Sequence, residues 1–136
     1  MTASPIIALR RAARARLLED VALVDALGGP RIYEEAPRGA ETPYALFTDA
    51  EMRDWSSASS RGAEQFFALA VVSTDRGLGP ALCVAQQIVD HLDGAPLALE
   101  DHALVDLGFV SMSTKRDASG RFARVVMLFR ATTEYL

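Results

Sequence analysis

The chain has 136 residues, of which 50% are hydrophobic and 24% are charged, and its formal net charge is −4. This length predicts one domain spanning residues 1–136, and the composition excludes a disordered chain. The acidic balance gives no general attraction to nucleic acid or to anionic membranes. The sequence has no apolar run long enough to span a membrane and no signal-peptide pattern, so it predicts a cytoplasmic protein.

Hydrophobic periodicity and turn residues predict two helices, a short turn and five strands. The first helix covers about 5–18, because Ser4 and Pro5 form a helix start and apolar residues then recur at helical spacing. A short turn over 21–27 ends at Gly28 and Gly29. A second helix is predicted at about 79–93, and strands at about 31–33, 44–55, 63–74, 102–115 and 121–134.

The order of these elements predicts an α+β domain, with a mainly antiparallel sheet of four or more strands and the two helices packed on one face. In the strands 63–74 and 121–134, apolar residues occupy both alternating faces. Two helices cover only one face of such a sheet, and a large exposed apolar patch is unusual on a soluble monomer. The second face is therefore expected to be covered by curling of the sheet, by the 21–27 segment or by another protein chain.

Residues that commonly carry chemistry are scattered along the sequence. Cys83 is the single cysteine, which excludes an internal disulfide, and its apolar surroundings predict a buried, inert thiol. His91 and His102 lack metal-ligand spacing and are expected to be polar surface residues. Glu34 and Glu35 are adjacent in an irregular loop, which is poor geometry for a catalytic carboxylate pair. The sequence therefore predicts no catalytic residue, no metal and no cofactor.

Arginines cluster in the first helix, where Arg10 and Arg14 share a face. This face is a candidate contact for nucleic acid or for an acidic partner, and the simpler interpretation is a solvated surface opposite the apolar stripe. The acidic net charge and the absence of aromatic residues between the arginines favour the solvated surface.

The order of the motifs resembles that of a known family. An arginine-rich helix and a short turn precede the stretch GGPRIYEEAPRGAETPYALF, residues 28–47, and the chain ends close after FARVVMLFRATTEY. In this arrangement the chain is similar to the tail completion, or tail terminator, family of long-tailed bacteriophages and gene transfer agents. The resemblance depends on Arg31, Ile32, Tyr33, Pro37, Gly39, Ala40, Pro43 and Tyr44.

The resemblance implies a structural protein that is not an enzyme. Such proteins form a ring, commonly a hexamer, at the head-proximal end of the tail tube, where the ring stops tube polymerisation and docks the head connector. The implied partners are further copies of the chain, the tube protein and the connector, with DNA at most passing through the ring lumen and no membrane. The protein would lie in the bacterial cytoplasm during assembly and then in the tail of the particle.

Two polar segments are candidate contact sites under this interpretation, the loop after residue 33 and the last hairpin. The candidate subunit or tube contacts are Glu34, Glu35, Arg38, Glu41, Lys115, Arg116, Asp117 and Arg121, and Arg10 and Arg14 mark a candidate helix surface. Two alternatives stay open: a small α+β ligand-binding or enzymatic domain that uses Glu34, Glu35 or His102, and a nucleic-acid-binding module that uses the arginines of the first helix.

Overall fold

The computed structural model describes residues 2–74 and 77–136, and all the predicted elements form within about two residues of their expected bounds. The predicted turn at 21–27 is a short helix. The elements in chain order are α1 (Pro5–Leu18), α2 (Val21–Leu27), β1 (Ile32–Tyr33), β2 (Tyr44–Asp54), β3 (Gly62–Ser73), α3 (Gly79–Leu92), β4 (His102–Arg116) and β5 (Ala123–Tyr135).

Capping residues explain where the first two helices begin and end. The Ser4 side chain accepts a hydrogen bond from the Ile7 amide at the start of α1. The Asp20 carboxylate accepts from the Ala22 amide at 3.1 Å, and α2 ends at Gly28, which has a φ of 81°. These two caps stabilise α2 as a helix although it has only seven residues.

The five strands form one sheet in the order β1-β2-β3-β5-β4. The three contacts among β2, β3, β5 and β4 are antiparallel, whereas β1 pairs in parallel with β2 over only two residues. The α+β class and the mainly antiparallel sheet are therefore confirmed. The parallel strand arises because the loop 34–43 returns the chain to the same end of the sheet before β2 begins.

All three helices pack against the same face of the sheet and enclose the main core. Phe129 of β5 is fully buried there, and its ring stacks on that of Phe67 with centroids 5.2 Å apart. Leu23 and Leu27 of α2 belong to this core together with residues of α1 and α3. None of the helices in the described part of the chain has both the length and the apolar character that a membrane span needs.

The opposite face of the sheet is also apolar, as the alternation of residues in β3 and β5 predicted. This surface, called the open face below, consists of Leu46, Phe66, Ala68, Ala70, Val72, Val126 and Leu128. Ala68, Ala70 and Val72 of β3 are buried, whereas Phe66, Val126 and Leu128 are half-buried. Because α2 packs on the helix side, no helix of the described residues covers the open face.

Candidate assembly surfaces

The loop between β1 and β2, residues 34–43, is called the arm and is fixed at its base by Arg31. The Arg31 guanidinium donates to the Leu27 carbonyl at 3.0 Å and forms an ion pair with Glu41 at 2.7 Å. Its side chain is only 22% exposed, so these bonds form in partly water-excluded surroundings. Arg31 therefore joins the end of α2 to the far side of the arm, and Glu41 contributes to the fold of the arm.

The tip of the arm is a tight turn on the surface. The Pro37 carbonyl accepts a hydrogen bond from the Ala40 amide at 3.1 Å, and Gly39 has a φ of 73°, which glycine adopts without steric cost. Residues 34–39 are all exposed. Glu34, Glu35 and Arg38 are thus displayed on a loop whose base is held in place.

Glu34 and Glu35 line an open cavity of about 560 Å³ between the arm and α1. The opposite wall carries three guanidinium groups. The full lining is Ile7, Arg10, Arg11, Arg14, Tyr33, Glu34 and Glu35. A cavity with charges of both signs and one aromatic ring is suited to hydrogen bonding with a polar segment of another protein.

Arg10 and Arg14 are half-buried, so the expected solvated helix surface is wrong for these two residues. Arg14 Nε donates to the Ile32 carbonyl at 2.7 Å, which attaches α1 to β1. The Arg10 guanidinium donates to the Thr48 carbonyl at 3.5 Å and lies over the Phe47 ring, 5.8 Å from its centroid. The side chains of Arg10 and Arg14 therefore hold α1 against the edge of the sheet. Hydrophobic periodicity could not predict these bonds, because the bonded residues are distant in sequence.

The hairpin tip between β4 and β5, residues 117–122, is organised by Asp117. Its carboxylate accepts from the Phe122 amide at 3.2 Å and from the Ser119 hydroxyl at 2.9 Å. The Phe122 and Ser119 hydrogen bonds hold the pKa of the Asp117 carboxyl below its usual range. Asp117 therefore shapes the turn, while Lys115, Arg116 and Arg121 are exposed around it.

The Asp117 network predicts an acid-sensitive turn. Because its folded pKa is depressed, the stabilisation is present above the unfolded pKa of about 3.9 and is lost as the pH falls through the folded value. We expect the Phe122 amide resonance to move toward its disordered position below about pH 4 in NMR titrations. Asp117→Asn, which accepts hydrogen bonds without titrating, should lack this transition. An identical acid transition in both proteins would contradict the prediction.

Two expectations about the residues considered for chemistry are wrong. Cys83 is exposed, because the buried face of α3 runs through Val84, Ile88 and Leu92 and leaves position 83 outside it. His102 is 2% exposed, and its Nε2 donates to the Ala3 carbonyl at 2.7 Å.

The other histidine, His91, forms a 2.7 Å ion pair with Asp20 at the junction of α2 and α3 when it is protonated. Within residues 2–74 and 77–136, no group of three or more His, Cys, Asp or Glu residues is arranged to hold a metal ion.

One polar pair on the open-face side was not anticipated from the sequence. Arg130 of β5 donates to Glu64 of the neighbouring β3 at 2.7 Å. Glu64 is the one charged residue of β3, and Arg130 interrupts the apolar run 125–131 of β5. A charge at such a position is the signal that was available in the sequence. The pair forms a polar boundary to the open face, because Arg130 lies directly opposite Phe66 in the ladder.

The sheet, the arm and the basic hairpin tip together define a class of protein, a small α+β subunit with surfaces suited to contact with other proteins. The chain belongs to the family described as Tail completion protein gp17, whose model matches residues 11–134. This confirms the family resemblance read from residues 28–47, and the family consists of structural proteins of phage-like tails.

The fold is also similar to that of a chain in the solved virion of a native gene transfer agent particle. The TM-score is 0.89 and the sequence identity is 28%, and the match covers 98% of this chain and 99% of that chain. A search of curated proteins gives no match. The agreement over nearly the full length of both chains means that the arm and the last hairpin lie within the shared structure.

Proposed function

We propose that the protein is a ring-forming tail terminator, which caps the head-proximal end of a phage-like tail tube and provides the surface on which the head connector docks. The proposal applies equally to the tail of a gene transfer agent and to the tail of a phage. The observation that carries it is the open face, an apolar sheet surface on which no helix of the described residues packs, in a member of a tail completion family.

Burial of the open face against other proteins of the tail supplies the driving force for assembly. Apolar surface contributes about 25 cal/mol per Å² when it is removed from water. A closed ring is built from head-to-tail contacts, in which each copy offers two different surfaces to its two neighbours. The fold has such distinct surfaces, because the arm lies beside β2 at one side of the sheet and the last hairpin lies beside β4 at the other.

The proposed partners are further copies of the chain, in a ring that is a hexamer, together with the tube protein and the head connector. The proposed contact residues are exposed charges of the arm, Glu34, Glu35 and Arg38, and those in or beside the hairpin tip, Lys115, Arg116 and Arg121. DNA at most passes through the lumen, since the net charge of −4 does not favour binding to it. The protein would assemble in the bacterial cytoplasm and then remain in the particle.

A ligand-binding or enzymatic domain is less well supported. His102, one of its candidate residues, is buried and bonded to a backbone carbonyl. The cavity beside Glu34 and Glu35 is wide, and the described residues that line it include no cysteine, serine or histidine. Such a lining suits contact with a protein segment better than the positioning of a small substrate.

Removal of the gene from cells that produce the particles tests the proposal. Electron microscopy should show tubes of variable, excessive length without heads, because nothing would stop polymerisation or receive the connector. Supplying the wild-type gene in trans is the control and should restore uniform tails that carry heads. Tails of normal length with attached heads in the absence of the protein would contradict the proposed function.

A further inference from the structure

The open face carries charge unevenly along its strands. At one end of its apolar surface, the ladders place Arg124 of β5 beside Val72 and Lys115 of β4 beside Arg124. Both cations are exposed, and neither forms an ion pair among the described residues. At the other end the charges neutralise each other within the chain. The ion pairs there are Arg130 with Glu64 and Arg53 with Glu51.

A partner that suits this surface is apolar and carries a carboxylate at the matching end. Apolar burial drives association, opposite charges select the partner, and a cation buried without a partner is costly. The outer side of α2 has both properties. Its exposed residues are Val21, Ala22, Asp25 and Ala26, which lie on one side of the helix, opposite its buried leucines.

The exposure of Val21 and Asp25 indicates that the outer side of α2 is a contact surface. The Val21 side chain is 72% exposed, more than any other large apolar side chain in the described helices and strands. Asp25 is also exposed, and its carboxylate forms no ion pair among the described residues. Because α2 packs on the helix side of the sheet, its outer side and the open face lie on opposite sides of the subunit.

We propose that the outer side of α2 in one copy packs on the open face of the next copy, with Asp25 directed to Arg124 and Lys115. The proposal rests on the ring-forming function proposed above and names the contact between neighbouring subunits. Each copy then offers α2 to one neighbour and the open face to the other, as a head-to-tail ring requires.

The dimensions of the two surfaces agree. A helix of seven residues, such as α2, is about 10 Å long and about 10 Å wide. The apolar part of the open face spans three strands, β2, β3 and β5, which is about 10 Å. Along β3 it extends about 20 Å, from residue 66 to residue 72. The open face can therefore receive the whole of α2.

The spacing of side chains along α2 also matches that of the sheet when the helix is aligned with the strands. Val21 precedes Asp25 by four residues, which is about 6 Å along the helix axis. Alternate residues of a strand, which share a face, are about 7 Å apart. With Asp25 beside Arg124, Val21 therefore lies over Val126, the next open-face residue of β5.

Zero-length crosslinking of intact particles tests the contact, because Lys115 is the single lysine of the chain. A water-soluble carbodiimide joins an amine to a carboxylate where the two groups touch. Mass spectrometry of peptides from treated particles should identify a link between Lys115 and Asp25. Such a link joins two copies, since Lys115 projects on the open-face side and α2 lies on the other side of the sheet. Asp25→Asn, which lacks the carboxylate, should remove the link.

Val21→Asp provides a second test that does not depend on crosslinking. The change places a carboxylate on the apolar surface of the next copy, so head-bearing tails should become at least about tenfold fewer. The free subunit should stay folded, because Val21 is the first residue of α2 and a carboxylate stabilises the start of a helix. Circular dichroism checks the fold. Leu82→Asp, on the outer side of α3, is the matched control and should give near-normal numbers of tails.

The outcomes separate this contact from the proposed function. Particles in which Lys115 is linked to the tube protein, or to no carboxylate of α2, would overturn the contact. Uniform, head-bearing tails from Val21→Asp would also overturn it and would leave the tail terminator role intact. The proposed function itself fails if such tails form without the protein. A link between Lys115 and Asp25, together with the assembly defect of Val21→Asp, would establish the contact.

Discussion

Replacing Phe129 with alanine should lower the free energy of unfolding by about 3–5 kcal/mol, the range for a large aromatic residue removed from a core. The Phe129 side chain is fully buried beneath the helices. Its ring stacks on Phe67 at a centroid distance of 5.2 Å and meets Phe109 edge-on at 6.0 Å. The change removes both ring contacts and leaves a cavity at the centre of the sheet. Equilibrium denaturation of the purified variant measures the loss.

Phe66→Ala is the matched control, because it removes the same side chain from the open face. Phe66 is only half-buried, and its described ring contact is with the exposed Arg53, 5.8 Å from the ring centroid. We expect a loss of about 1–2 kcal/mol, in proportion to the smaller apolar area that leaves the folded state. An equal loss of unfolding free energy in the two variants would mean that the open face is as well packed as the helix side. That result would contradict the placement of the main core between the sheet and the helices.

The elements that local signals encode could be predicted from the sequence. The bounds of α1 follow from Ser4, Pro5 and the apolar repeat, and the structure begins and ends this helix where the pattern does. The two apolar faces of β3 and β5 were visible in the alternation alone. These features depend on residues close together in the chain, so local propensity and periodicity are sufficient to detect them.

The features that depend on distant partners could not be predicted. The burial of His102 results from its contact with Ala3, 99 residues away, and from the ring of Tyr135 at a centroid distance of 4.8 Å. The bonds from Arg10 and Arg14 to the sheet edge also depend on how α1 crosses β1 and β2. The prediction of a buried Cys83 was wrong for a different reason. An apolar helix segment does not by itself show which of its sides faces the core, and Cys83 lies on the outer side of α3.

The candidate contact surfaces could be predicted only in part, because some of their residues bond to partners distant in sequence. The exposed charges of the arm and the hairpin tip were evident as polar segments between strands. Nothing in the sequence indicates that Asp117 accepts hydrogen bonds within the hairpin turn or that Glu41 pairs with Arg31. The strand order also escaped prediction, because it follows from pairing between strands far apart in sequence, such as β3 with β5.

Replacing Leu128 with aspartate should reduce assembly into particles at least about tenfold while the isolated subunit stays folded. Leu128 is half-buried on the open face, directly opposite Ala68 of β3. In the free subunit the new carboxylate reaches water, so the free energy of unfolding should fall by about 1 kcal/mol, the span of strand propensities. In the particle the carboxylate would be buried against a neighbouring protein without a cation, and each 1.4 kcal/mol of that cost reduces the binding constant about tenfold.

The control is Leu82→Asp, which places the same charge on the outer side of α3, where Leu82 is 37% exposed. Both variants are purified, checked by thermal denaturation and then supplied in trans to producing cells that lack the gene, and head-bearing tails are counted by electron microscopy. Leu82→Asp should give a near-normal number of head-bearing tails, whereas Leu128→Asp should give at most about one-tenth of that number. Equal numbers of head-bearing tails from the two variants would show that the open face is not buried in the tail. A charge at position 128 would then cost no more than a charge at the exposed position 82.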